Sequence, residues 1–127
     1  MERWLCQAYD LLRRLGVTAE YKGYAYAAYA VALCAERPEL LLVVTKDLYP
    51  EVARRYRTTW HAVERNIRTV IAVAWKRNPA MLDHIAGGFL KDKPNAAQFL
   101  AVVTEELRRG EAGENARRCG RCADCSA

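Results

Sequence analysis

The stretch LYPEVARRYRTTWHAVERNIRTVIAVAWKR, Leu48–Arg77, decides the fold. Pro50 suits the first turn of a helix, where its missing N–H would have had no partner. Glu51–Tyr56 is expected to form a short helix that buries Val52, Ala53 and Tyr56. Arg57, Thr58 and Thr59 then make a turn, and a threonine hydroxyl can cap the free amides of the next helix. From Trp60 to Lys76 apolar residues recur at helical spacing, and Asn78-Pro79 marks the stop. At about 100° per residue, Val63, Ile67, Val70, Ile71 and Ala74 fall on one face of this second helix. His61, Arg65, Arg68, Ala72 and Lys76 fall on the opposite face, with Thr69 beside them and Glu64 on the flank. A short helix, a tight turn and a long amphipathic helix with a basic outer face make a helix-turn-helix reader of DNA.

The flanking sequence is helical too. Glu2–Leu15 sets Trp4, Leu5, Ala8, Leu11, Leu12 and Leu15 at helical spacing before a stop at Gly16. Val17–Gly23 connects to Tyr24–Glu36, an Ala- and Tyr-rich segment that reads as a buried helix ending near Pro38. Glu39–Leu48 holds a short, partly β-branched apolar run that periodicity alone could assign to a strand. It is assigned to helix because no second strand-like segment exists to pair with it. Ala80–Ile85 is a short helix closed by Gly87-Gly88, and Lys91–Pro94 is a loop. Asn95 can cap a last helix, Ala96–Arg109. The expected architecture is all-α, about six helices in one domain over residues 1–109. A polar, non-periodic stretch, 110–127, is expected to be a disordered tail.

At 127 residues, 52% of them hydrophobic, the chain can bury a real core. No run approaches the roughly 18 apolar residues of a membrane span. The N-terminus is charged throughout and has no signal-peptide core, so a cytoplasmic location is expected. The net charge is +5 and the pI about 9.1. More telling is its distribution: Arg54–Arg77 holds seven Arg and Lys against the single Glu64. Such a patch is the footprint of a polyphosphate partner, here double-stranded DNA.

Roles follow from position on the second helix. Arg65 and Arg68 are surface neighbours, and either can make bidentate bonds to guanine, worth about 1–3 kcal/mol of discrimination. Glu64 can accept from a cytosine amine or orient Arg68 at i+4. His61, Thr58, Thr59, Thr69 and the group Arg54, Arg55 and Arg57 are placed for the DNA backbone, which fixes register without reading sequence. Pattern alone leaves a solvated basic helix face as an equal alternative. Trp60 and Trp75, like Tyr24, Tyr26 and Tyr29, are read as core packing. His84 is read as structural or exposed.

The segments GVTAEYKGYAYAAYAVAL, VTKDLYPEVARRYRTTWHAVERNIRTVIAVAW and KDKPNAAQFLAVVTEELR closely resemble the C-terminal DNA-binding domains of the stage zero sporulation regulator family. The resemblance runs over roughly Leu5–Arg109. It implies a six-helix effector domain that binds short promoter boxes, often as tandem dimers, and regulates transcription at entry into sporulation. A homodimer on DNA and RNA polymerase are the further partners it brings into view. By position it assigns base reading to Glu64, Arg65 and Arg68. Two positions depart from the family pattern: Ala62 replaces an arginine and Thr69 a histidine, which alters or weakens the expected box preference. No βα alternation of a receiver domain precedes the helical domain, so phosphorylation-driven dimerisation does not carry over.

Cys119, Cys122 and Cys125 form C-x2-C-x2-C after Arg117-Arg118. Thiolates at that spacing can share a metal, but a structural zinc needs four ligands. A reduced tail without metal is the expected state, and no cofactor is expected. Cys6 and Cys34 lie on apolar faces and are read as core residues. Two other functions stay open beside DNA reading. One is an interaction module that pairs with or antagonises a full-length regulator, and the other a metal- or redox-sensing regulator. An enzyme is not expected, since no nucleophile–base pair or phosphate-binding glycine loop occurs.

Overall fold

A computed structural model describes residues 2–88 and 90–113, and every regular element among them is helical. The first helix, α1 (Glu2–Arg14), buries Cys6, Ala8, Leu11 and Leu12 along one stripe. It stops where Gly16 takes φ +100°, and the Val17 amide donates back to the Leu12 carbonyl at 3.0 Å. Helix α2 (Lys22–Glu36) begins slightly earlier than the sequence suggests. Ala27, Ala28, Ala30, Ala32 and Ala35 are buried along it with Val31, Leu33 and Cys34. A helix apolar on every side belongs in the middle of a domain. Alanines let neighbours close in from all directions, and α2 packs against α1 and against the helices at 49–56, 60–77 and 96–113.

The segment read as one helix over Glu39–Leu48 is helical but not α. A 3-10 helix, Pro38–Leu42, is followed by a π turn, Val44–Leu48, and Val43 between them leaves helical geometry at φ −136°, ψ 50°. Pro38 starts the first turn, and the adjacent β-branched Val43 and Val44 resist one continuous α-helix. The chain then runs directly into α3 (Tyr49–Tyr56), two residues before the expected start.

Helix α4 (Trp60–Arg77) buries Val63, Ile67, Val70, Ile71 and Ala74, the apolar face read from periodicity. Helix α4 packs on α2 as well as on the preceding α3, and touches the two helices that follow it. Helix α5 (Pro79–Ile85) is capped by Asn78, whose Oδ1 accepts from the Met81 amide at 3.2 Å. Asn95 and Gln98 close a reciprocal capping box at the start of the last helix: Gln98 N–H donates to Asn95 Oδ1 at 2.8 Å, and Asn95 N–H to Gln98 Oε1 at 3.1 Å. That helix, α6, spans Ala96–Gly113 and so continues beyond Arg109. Its Phe99, Leu100, Val103 and Leu107 complete the core, and Arg108 donates to the Ala35 carbonyl in the last turn of α2 at 2.7 Å. The rest of the expected tail lies outside the described residues. No helix among the described residues is long and apolar enough to cross a membrane.

Candidate nucleic-acid interface

The turn between α3 and α4 is built by a left-handed residue. Arg57 sits at φ 55°, ψ 50°, and the following Thr58 amide donates to the Ala53 carbonyl at 2.9 Å. A non-glycine residue held there costs on the order of 1 kcal/mol, and it reverses the chain in the fewest residues. Thr59 is then extended, and its Oγ1 accepts from the Ala62 amide at 3.1 Å, the cap the sequence allows. The cap leaves the first turn of α4 at the surface.

The aromatic residues of α2 hold α3 in place. Tyr56 packs against Tyr26 at a tilt and edge-on against Tyr29, with ring centroids 5.2 and 5.8 Å apart, and its hydroxyl donates to the Ala25 carbonyl at 3.5 Å. Burial and the neighbouring Tyr9 push the Tyr56 hydroxyl pKa up to about 12. The Arg55 guanidinium lies 5.6 Å from the Tyr29 ring and 5.5 Å from the Tyr56 ring. A cation over two rings stays charged and oriented without being neutralised by a carboxylate.

Two glycines and an arginine set the pose of α4. A Cβ on Gly23 would overlap the Asn66 carbonyl oxygen and approach Val70 Cγ2 to 2.6 Å, so α2 and α4 touch backbone to backbone there. At the far end Arg77 donates to the Gly16 carbonyl at 3.0 Å and to the Tyr21 hydroxyl at 3.3 Å, while its guanidinium lies 5.7 Å from the Tyr21 ring. Next to it, Asn78 Nδ2 donates to the Arg14 carbonyl at 2.9 Å. The middle and the C-terminal end of α4 are therefore tied to α1, α2 and the loop between them.

The outer face of α4 is the one read from the sequence. His61, Arg65, Arg68, Thr69, Ala72 and Lys76 are exposed and Glu64 is half-buried. Arg68 Nη2 donates to Glu64 Oε2 at 3.1 Å. Thr69 spends its hydroxyl on the Arg65 carbonyl at 3.3 Å. The Arg65 guanidinium has no partner among the described residues, and neither do those of Arg54 and Arg57. Beneath the Glu64–Arg68 pair lies Tyr49, 1% exposed, its hydroxyl buried with no hydrogen-bond partner. Burial and the Glu64 carboxylate raise the Tyr49 pKa to about 12, against a smaller opposing effect of Arg68.

One expectation is corrected. Trp60 is not core: it is 38% exposed, with its ring stacked on His61 at a centroid distance of 3.8 Å. It stands at the first position of α4, before the buried residues of the stripe begin at Val63, although its helical angle lies between those of Ile67 and Ile71. Trp75 and the tyrosines Tyr24, Tyr26 and Tyr29 are half-buried against the core, and His84 is exposed. Gly23 and Arg77 escaped the sequence reading because their partners lie far along the chain.

Cys34 is a free, buried thiol whose pKa burial pushes up to about 12. Cys6 is 2% exposed on the buried stripe of α1, a core position as its apolar face implies. Cys119, Cys122 and Cys125 lie outside the described residues. Among the described residues no three His, Cys, Asp or Glu side chains group in a way that could hold a metal.

Compared with known proteins, residues 8–107 match the family model described as sporulation initiation factor Spo0A C terminal.

Proposed function

The chain belongs to the Spo0A C-terminal family, DNA-binding domains of sporulation-type transcription factors, and from that premise we propose that α4 reads promoter sequence in the major groove. The observation that carries the reading is the division of α4: five apolar side chains buried in the core, and an outer face led by exposed Arg65 and Arg68. Arg54, Arg55 and Arg57 meet the phosphates first, since their charge acts at long range and independently of sequence. Arg55 arrives already oriented by its two tyrosine rings. His61, Thr58, Thr59 and Thr69 border the same surface and serve the backbone, fixing register.

Base reading falls to Arg65, Arg68 and Glu64. Arg65, without an internal partner, is ready to make a bidentate contact with guanine. Arg68 is presented by Glu64 across one helical turn, so the pair approaches the base edges as a unit. The carboxylate holds the guanidinium away from the phosphates and keeps its own second oxygen for a cytosine amine. Ala62 and Thr69 add no charged contact, so specificity rests on few residues. Each good base contact supplies about 1–3 kcal/mol.

Fluorescence anisotropy tests the reading on a duplex obtained by selection from random DNA. The expected result is binding at least a hundredfold tighter than to a scrambled duplex of equal length and salt, in line with specific over non-specific ratios. Equal binding to both would refute sequence reading and leave an interaction module.

A further inference from the structure

The indole at the start of α4 is partly open to solvent. Trp60 and Leu42 are the large hydrophobic side chains exposed among the described residues, and only Trp60 stands on the helix that faces DNA. It lies one turn before Glu64, on the same strip as Glu64 and Arg68. The His61 ring, stacked at 3.8 Å, fixes the indole instead of leaving it to rotate in solvent. An oriented aromatic side chain at the N-terminal end of a groove-entering helix is positioned to touch base edges or sugars. The residue between this pair and Val63 is Ala62, which adds no polar group that would compete for that space.

Resting on the reading of α4 as the groove helix, we propose that Trp60, braced by His61, is a specificity-determining residue that makes an apolar contact with thymine C5-methyl groups. The contact would lie beside the bases met by Glu64, Arg65 and Arg68. Thymine is the base that offers an apolar group in the major groove, and an aromatic surface is a fitting partner for it. Covering the exposed part of the indole removes apolar surface from water on both molecules, which favours the complex without adding charge. The contact therefore discriminates sequence yet leaves the salt dependence unchanged.

The test uses the full chain and the selected duplex, with each thymine in the box replaced in turn by uracil, which lacks only the methyl group. For the unmodified protein one or two uracil positions should weaken binding about threefold, the worth of a buried methyl group. Trp60→Ala should bind the thymine duplex about tenfold more weakly, lose the uracil effect at those positions and keep the salt slope. Trp60→Phe should retain part of both, and circular dichroism should be unchanged for an exposed site. His61→Ala should weaken the uracil effect without abolishing it. If Trp60→Ala binds the thymine box as tightly as the unmodified protein, or keeps its uracil effect, the inference falls while sequence reading by α4 stands. If the unmodified protein fails to prefer the selected duplex over scrambled DNA, the underlying reading falls and the inference with it.

Discussion

Replacing Gly23 by alanine probes the contact that holds α4. Alanine is ordinarily the better helix residue by about 1 kcal/mol. At Gly23 the new methyl group would meet the Asn66 carbonyl oxygen, and Val70 Cγ2 at 2.6 Å. A valine methyl could rotate away, but a backbone carbonyl inside a hydrogen-bonded helix cannot. Either α2 or α4 must shift by several tenths of an ångström against neighbours packed at close to crystal density. Overpacking of this kind costs about 1–3 kcal/mol, and the rigid partner puts Gly23→Ala in the upper part of that range. After the propensity gain, the net loss should be about 1–2 kcal/mol. Guanidinium unfolding should show a lower midpoint with an unchanged slope. Gly110→Ala is the matched control: a helical glycine whose added Cβ meets nothing within 4 Å, so the gain of up to about 1 kcal/mol should appear undiminished. A Gly23→Ala protein as stable as the parent, or more so, would refute the backbone contact between α2 and α4.

Thr59→Ala removes the hydroxyl that accepts from the Ala62 amide and should cost about 1 kcal/mol in thermal unfolding, whereas Thr59→Ser should cost little. Raised pKa values at Cys34, Tyr49 and Tyr56, each about 12 against ordinary values of 9.0 and 10.0, mean that the folded chain keeps protons that the unfolded chain releases. Stability should be intact below pH 9 and fall as pH rises toward 12; Tyr49→Phe should remove part of that fall and, by deleting an unpartnered buried hydroxyl, match or exceed the parent in stability at neutral pH. Arg55→Ala should weaken binding to all duplexes alike and reduce the salt slope by about one, read from anisotropy titrations across salt.

The amphipathic helices were legible because each side-chain pattern repeats within one element. The buried face of α4 follows from its spacing alone, and the Thr59 and Asn95 caps follow from residue type at a helix start. What the pattern could not reveal depends on contacts across long separations in the chain. Gly23 against Asn66 and Arg77 against Gly16 leave no local signature. Trp60 was misread for a related reason: its helical angle falls between those of Ile67 and Ile71, and only the fold reveals that this first residue of the helix is left partly open to solvent. The segment before α3 defeated a two-state choice between strand and helix, because a 3-10 helix and a π turn carry neither period. The exposed face that carries Arg65 and Arg68 was legible from charge and spacing. The tyrosine rings that orient Arg55 came out of the fold.

The central claim is that α4 reads bases through Arg65 while the arginines around the turn supply affinity alone. The direct measurement is the ratio of affinities for selected and scrambled duplexes, taken at one salt concentration for the parent, Arg65→Ala and Arg55→Ala. The account predicts a ratio that drops by about tenfold or more in Arg65→Ala and stays at the parent value in Arg55→Ala, although both bind more weakly. A ratio unchanged by Arg65→Ala, or reduced equally by the two substitutions, would contradict it.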